Sequence, residues 1–175
     1  MLRIALAALV TLGLAAGSAT AQERSHRLQD GRILTVTAET PCGAPRPEED
    51  PRFAFLVTFS CFDDVSGVSG EGFFAVGAQA GETTPEEYLL GIAEEYWPDL
   101  SVEARKSRIV PATGTGRQGS LAVLCLFGAD AEQARGEATC VVDHPRTQVI
   151  MHARSSEAEA ALGVLTMFIS GVSVQ

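Results

Sequence analysis

The sequence predicts an α+β domain: a mainly antiparallel sheet of about seven strands, covered by two amphipathic helices, in the order βββαββββα. Three observations predict it. Short apolar stretches, several alternating with a period of two, are separated by brief turn-rich connections, which favours antiparallel pairing. Two longer stretches repeat their apolar residues with a helical period and open on capping signals. Each such helix must bury its apolar stripe, and the sheet supplies the surface.

The chain opens on MLRIALAALVTLGLAAGSATA, with one positive charge at Arg3, an apolar run from Ile4 to Ala16 and Ala19-Thr20-Ala21 as an A-x-A site. This is the pattern of a bacterial-type secretory signal peptide over residues 1–21, cut between Ala21 and Gln22. The apolar run falls short of the ~20 residues needed to span a bilayer. The first cysteine is Cys42, far from the cut, so a lipidated N-terminus is not expected. A second apolar stretch, residues 161–174, is also short and is interrupted by Gly163, Ser170 and Gly171. The expectation is therefore a soluble periplasmic or secreted protein, with no stable membrane insertion after cleavage.

Residues 22–31, QERSHRLQDG, are polar and read as a loose segment; residues 32–175 read as a single domain, long enough for its own core. The whole chain carries a formal charge of −9, and losing Arg3 with the leader makes it more negative. Such acidity excludes nucleic acid and anionic membrane as partners, since both require a basic footprint.

Taken in order, 32–39 (RILTVTAE) is a strand. Residues 40–52 form a loop with four prolines, tied near its start by Cys42. In 53–62 (FAFLVTFSCF), Phe53, Phe55, Val57, Phe59 and Cys61 alternate onto one face of a strand, with Leu56 and Phe62 on the other. Residues 63–72 are a turn-rich connection, and 73–80 the return strand, in which Gly77 marks a bulge or a close backbone approach. The strongest local signal is TTPEEYLLGIAEEYW: Thr84 as N-cap, Pro85 at N1 and Glu87 at N3 form a capping box. Leu89, Ile92, Ala93 and Tyr96 then fall on one helical face, and Pro98 ends the helix. Strands follow at 105–114, 119–128, 135–144 and 147–155. A closing helix starts at Ser156 with Glu159 completing a second S-x-x-E box; its stripe holds Ala158, Ala161, Leu162, Leu165, Phe168, Ile169 and Val172.

An oxidising compartment turns paired thiols into disulfides. The four cysteines, Cys42, Cys61, Cys125 and Cys140, allow three connectivities, and no C-x-x-C spacing supports a redox motif or zinc knuckle. If strands 119–128 and 135–144 form a hairpin with Cys125 opposite Cys140, Val123 faces Val142 and Phe127 faces Ala138, all on one apolar face. Cross-strand Cβ atoms then lie about 4.5–5.5 Å apart, near the span of a disulfide. Cys125–Cys140 is the leading pair, and Cys42–Cys61 follows by elimination.

The element order carried by GRILTVTAETPC, TTPEEYLLGIAEEYW, RQGSLAVLCLF and EAALGVLTMFISGV resembles the PsbP-like fold. That family includes the extrinsic lumenal protein of photosystem II and many small exported bacterial proteins. The resemblance covers most of the exported chain by element order, not by a diagnostic motif, and the disulfides are not part of the family's general pattern. It implies a non-catalytic accessory or binding role and transfers no functional residue.

The chemical inventory points the same way. His26 lies in the loose segment, His144 in the turn DHPR beside Asp143 and Arg146, and His152 on a strand near Arg154. Partners for a catalytic triad or a histidine metal site are not legible. GVSGEG (67–72) lacks the lysine and following helix of a phosphate loop and reads as a hairpin loop. PEEDP (47–51) and Asp63-Asp64 lack EF-hand spacing and read as solvated charge. Tyr88, Tyr96 and Trp97 read as core aromatics. No catalytic, metal or cofactor site is therefore expected. The expected function is an exported accessory or binding protein without catalytic activity, acting on an unknown protein or small ligand. The alternative is a small periplasmic enzyme with a site around His144 or His152.

Overall fold

The computed structural model describes residues 23–37, 42–62, 64–65, 67, 69–77, 83–116, 119–130, 135–142 and 149–175. The signal peptide and its cleavage site at Ala21–Gln22, together with Asp63, Asp143, His144 and Arg146, lie outside the described residues.

The elements run β1 (Glu23–Arg27), β2 (Ile33–Thr37), β3 (Arg46–Pro47), β4 (Phe53–Phe62), β5 (Ser69–Gly77), α1 (Pro85–Tyr96), α2 (Val102–Lys106), β6 (Ile109–Gly116), β7 (Gly119–Asp130), β8 (Arg135–Val142), β9 (Val149–Ser155), α3 (Ala158–Ser170) and β10 (Val172–Val174). The seven strands of the large sheet lie in the order β3-β4-β5-β9-β8-β7-β6, every neighbouring pair antiparallel. A second sheet, β1-β2-β10, is also antiparallel. The architecture is α+β.

The β7–β8 hairpin has the expected register: Cys125 faces Cys140, Val123 faces Val142 and Phe127 faces Ala138. The Cys125 and Cys140 sulfurs are bonded at 2.01 Å, and those of Cys42 and Cys61 at 1.98 Å. Both bridges fit an extracellular or otherwise oxidising compartment. Among the described residues no helix is long and apolar enough to cross a membrane.

Alternation gives the large sheet two apolar faces. On one, Val57, Phe59, Phe74, Val123, Cys125, Cys140, Val149, Met151 and Ala153 pack beneath Ala161, Val164, Leu165 and Ile169 of α3 and Leu34, Val36 and Val172 of the small sheet. On the other, a smaller core joins Ala75, Leu126, Val141 and Ile150 to Leu89 and Ala93 of α1. α1 and α3 therefore lie on opposite faces. α1 starts as its sequence dictates: the Glu87 N–H donates to the Thr84 hydroxyl oxygen at 3.2 Å, and the Glu87 carboxylate accepts from the Thr84 N–H at 2.8 Å.

Several boundaries differ from the sequence expectation. Glu23–Arg27 is a strand, not a loose segment, because β2 offers it a full antiparallel register from Glu23↔Thr37 to Arg27↔Ile33. Ile33–Thr37 consequently belongs to the small sheet, and the seventh strand of the large sheet is the two-residue β3. Arg105 and Lys106 are helical: Ser101 caps α2 by accepting from the Ala104 N–H at 3.3 Å, and Arg105 donates to the Trp97 and Pro98 carbonyls at 3.1 and 2.8 Å. The strand follows only at Ile109, with Pro111 tolerated because β6 is an edge strand. Phe53 and Phe55 do not share a face, since a bulge between them sends Phe53 to the smaller core and Phe55 to the larger. α3 begins two residues after Ser156, leaves Leu162 exposed and ends at Ser170, so Val172 is buried as a strand residue paired with Val36 rather than on the helical stripe. Residues 69–72 of GVSGEG are strand. Gly70 is needed there, because a Cβ would stand 2.7 Å from Val164 of α3.

Candidate functional site

α1 covers only one end of its face of the large sheet. Along each central strand the residues of this face turn from apolar to polar beyond α1: Leu56 gives way to Thr58 and Ser60 on β4, Ala75 and Phe73 to Glu71 on β5, Ile150 to His152 and Arg154 on β9, and Val141 to Thr139 and Glu137 on β8. The registers align these residues in two rows across the sheet. One runs Arg46, Thr58, Phe73, His152, Thr139; the other runs Ser60, Glu71, Arg154, Glu137. The β3–β4–β5–β9 part of the rows lines an open hollow of about 290 Å³, with Arg46 at its edge.

His152 is held on two sides. Its ring stacks on Phe73, centroids 5.1 Å apart at 24°, and its Nδ1 lies 2.9 Å from the Thr139 hydroxyl. Burial, assisted by the Arg154 charge, pulls its pKa from 6.5 down to about 4, so the imidazole is neutral near pH 7. Arg154 donates from Nε and Nη2 to Glu71 Oε1, both at 2.6 Å. Burial pushes the Glu137 carboxyl up, opposed by Arg154. Arg46 has no ion-pair partner among the described residues. Glu48, two residues on, accepts from the Thr58 hydroxyl at 3.5 Å.

The other candidate residues fall elsewhere. His26 is on β1, stacked on Phe55 at 5.3 Å. Asp50 shapes a turn by accepting from the Arg52 N–H at 2.9 Å and pairing with its guanidinium, which draws the Asp50 pKa down to about 2. Tyr88, Tyr96 and Trp97 pack on the smaller core, and the Arg108 guanidinium lies 4.2 Å above the Trp97 ring. Among the described residues no group of three His, Cys, Asp or Glu side chains is placed to hold a metal. Of the two histidines considered for a site, His152 lines the hollow.

Sequence reasoning did not single out Arg46, Thr58, Ser60, Glu71, Phe73 or Arg154 as a group. The available signal was the polar turn of the second face in FLVTFS and in IMHAR. Comparison with known proteins finds no matching family model, curated protein or solved structure.

Proposed function

We propose that the protein is an exported, non-catalytic binding module of the periplasm or extracellular space, freed of its leader between Ala21 and Gln22, that holds a small ligand in the hollow beside His152. The observation that carries this reading is the convergence of a guanidinium, hydroxyl groups and the Phe73–His152 stack on an open hollow of the sheet face that α1, among the described residues, covers only in part. The disulfides support the compartment. An enzyme built on His152 is the second reading, favoured by the presence of Ser60 and Thr58 in the same hollow. Against it, Nδ1 of His152 already meets the Thr139 hydroxyl, and among the described residues no carboxylate hydrogen-bonds the ring to orient it as a base.

The test is an amide-shift screen of the ¹⁵N-labelled chain against mixed small metabolites, combined with hydrolase assays. Shifts grouped on Thr58, Ser60, Phe73 and His152, with no turnover, support the binding module. Turnover abolished by His152→Gln in a folded protein gives the enzyme instead, and a screen that leaves the hollow silent overturns both. Mass spectrometry of the exported protein should find Gln22 as its first residue; a chain retaining residues 1–21 would exclude the cleavage.

A further inference from the structure

We infer that the ligand class of the hollow is a small organic monocarboxylate with a flat apolar part, its carboxylate held by Arg46 and its flat part set against the Phe73–His152 stack. The inference rests on the binding reading above and adds the chemistry of the ligand.

Charge selects the sign. Among the described residues the lining of the hollow holds two guanidinium groups and one carboxylate, with the Glu48 carboxylate beside it on Thr58, and Arg154 is already engaged by Glu71. Among the described residues of the hollow, Arg46 is left as the cation without an ion-pair partner, in a chain whose net charge is −9. A single guanidinium fork matches the two oxygens of a carboxylate, whereas a phosphate dianion calls for more positive charge than Arg46 alone supplies. The register sets Arg46 directly opposite Thr58. Ser60 follows two residues along the same strand face, and its hydroxyl has no partner among the described residues. An oxyanion on Arg46 shares the hollow with the Ser60 hydroxyl as a donor, the Thr58 hydroxyl being already directed to the Glu48 carboxylate at 3.5 Å.

Shape selects the rest. Phe73 and His152 stack with their planes 24° from parallel and together give the hollow an aromatic wall, which favours a flat ligand surface. At about 290 Å³ the hollow sits at the lower end of the ~300–1,000 Å³ common for ligand pockets, which limits the ligand to about a single substituted ring.

The experiment titrates the ¹⁵N-labelled chain with benzoate, benzamide, benzylamine and acetate. Benzoate should shift Thr58, Ser60, Phe73 and His152 saturably, with affinity at least tenfold above each of the other three. Arg46→Gln, at an exposed position, should weaken benzoate at least tenfold and leave the weak benzamide response unchanged. Benzamide or benzylamine binding as tightly as benzoate, or benzoate unaffected by Arg46→Gln, would overturn the carboxylate while leaving the hollow as a binding site. Acetate matching benzoate would overturn the flat part. If all four probes leave the hollow silent, this ligand class is overturned; the binding reading falls with it only if the metabolite screen is silent as well.

Discussion

On one face of the large sheet, the central rows from Val57 to Val123 lie beneath α3 and the small sheet. On the other, α1 packs on Leu126, Val141 and Ile150, and the rows through Thr58, Glu71, His152 and Glu137 extend beyond it. The same strands build both faces, because successive side chains point in opposite directions. The difference teaches that the fold is carried chiefly by the first face, leaving the second free to change chemistry where its cover ends. The sheet face beyond α1 is thus where, among the described residues, the apolar pattern gives way to arginines, hydroxyl groups and a histidine.

The sharpest way to break this comparison is to hollow out the covered face. Leu165 of α3 is fully buried there. Leu165→Ala should cost about 2–5 kcal/mol by urea denaturation, whereas Ser60→Ala on the open half should stay within about 0.5 kcal/mol. Equal costs would show that the two halves do not differ in this way.

The disulfides sharpen it further. Their sequence separations, 15 and 19 residues, are similar, so the chain-entropy contribution of each is about 3 kcal/mol. Cys125→Ser with Cys140→Ser should nevertheless lower the melting temperature more than Cys42→Ser with Cys61→Ser. The former leaves two hydroxyls within the larger core, while Cys42 is only partly buried. Non-reducing peptide maps should join 125 to 140 and 42 to 61; a link from Cys42 to Cys125 or Cys140 would refute the hairpin register.

Acid probes the boundary between the halves. Burial, then the Arg154 charge, lowers the His152 pKa from 6.5 in the unfolded chain to about 4 in the folded one. Between those values the unfolded chain binds the additional proton, so this contribution is fully present above pH 6.5 and is lost as pH falls towards 4. The loss should reach about 3 kcal/mol. His152→Gln, which keeps a partner for Thr139, should remove that share of the difference between denaturation curves at pH 7.5 and pH 4. Identical pH dependence in the two proteins would refute a buried neutral imidazole.

The smallest effect belongs to the open half itself. Arg154 and Glu71 are each about half exposed, with side-chain exposures of 42% and 50%. Glu71→Gln should change stability by no more than about 1 kcal/mol. A larger thermal shift would mean that the ion pair supports the fold rather than the hollow.

What the sequence determined by itself is what neighbouring residues decide. Thr84, Pro85 and Glu87 start a helix through groups within one turn of each other. Cys125 and Cys140 could be paired because alternation and one short connection leave few registers that keep Val123, Phe127, Ala138 and Val142 on one face. The polar drift of FLVTFS and IMHAR was also legible, although not its meaning. Tertiary structure decided the rest. QERSHRLQDG looks loose until β2 pairs with it, and Val172 fits a helical stripe until β2 offers it a ladder 136 positions back at Val36. Which helix covers which face, and where α1 stops, depends on contacts that no local pattern encodes. The hollow is made of such contacts: Glu71 and Arg154 are 83 residues apart in sequence and adjacent only because β5 and β9 are neighbours. Propensity and capping act over a few residues, whereas strand order is chosen by burying the whole set of apolar faces at once. The core's ingredients are therefore visible in one dimension, while the site exists only in three.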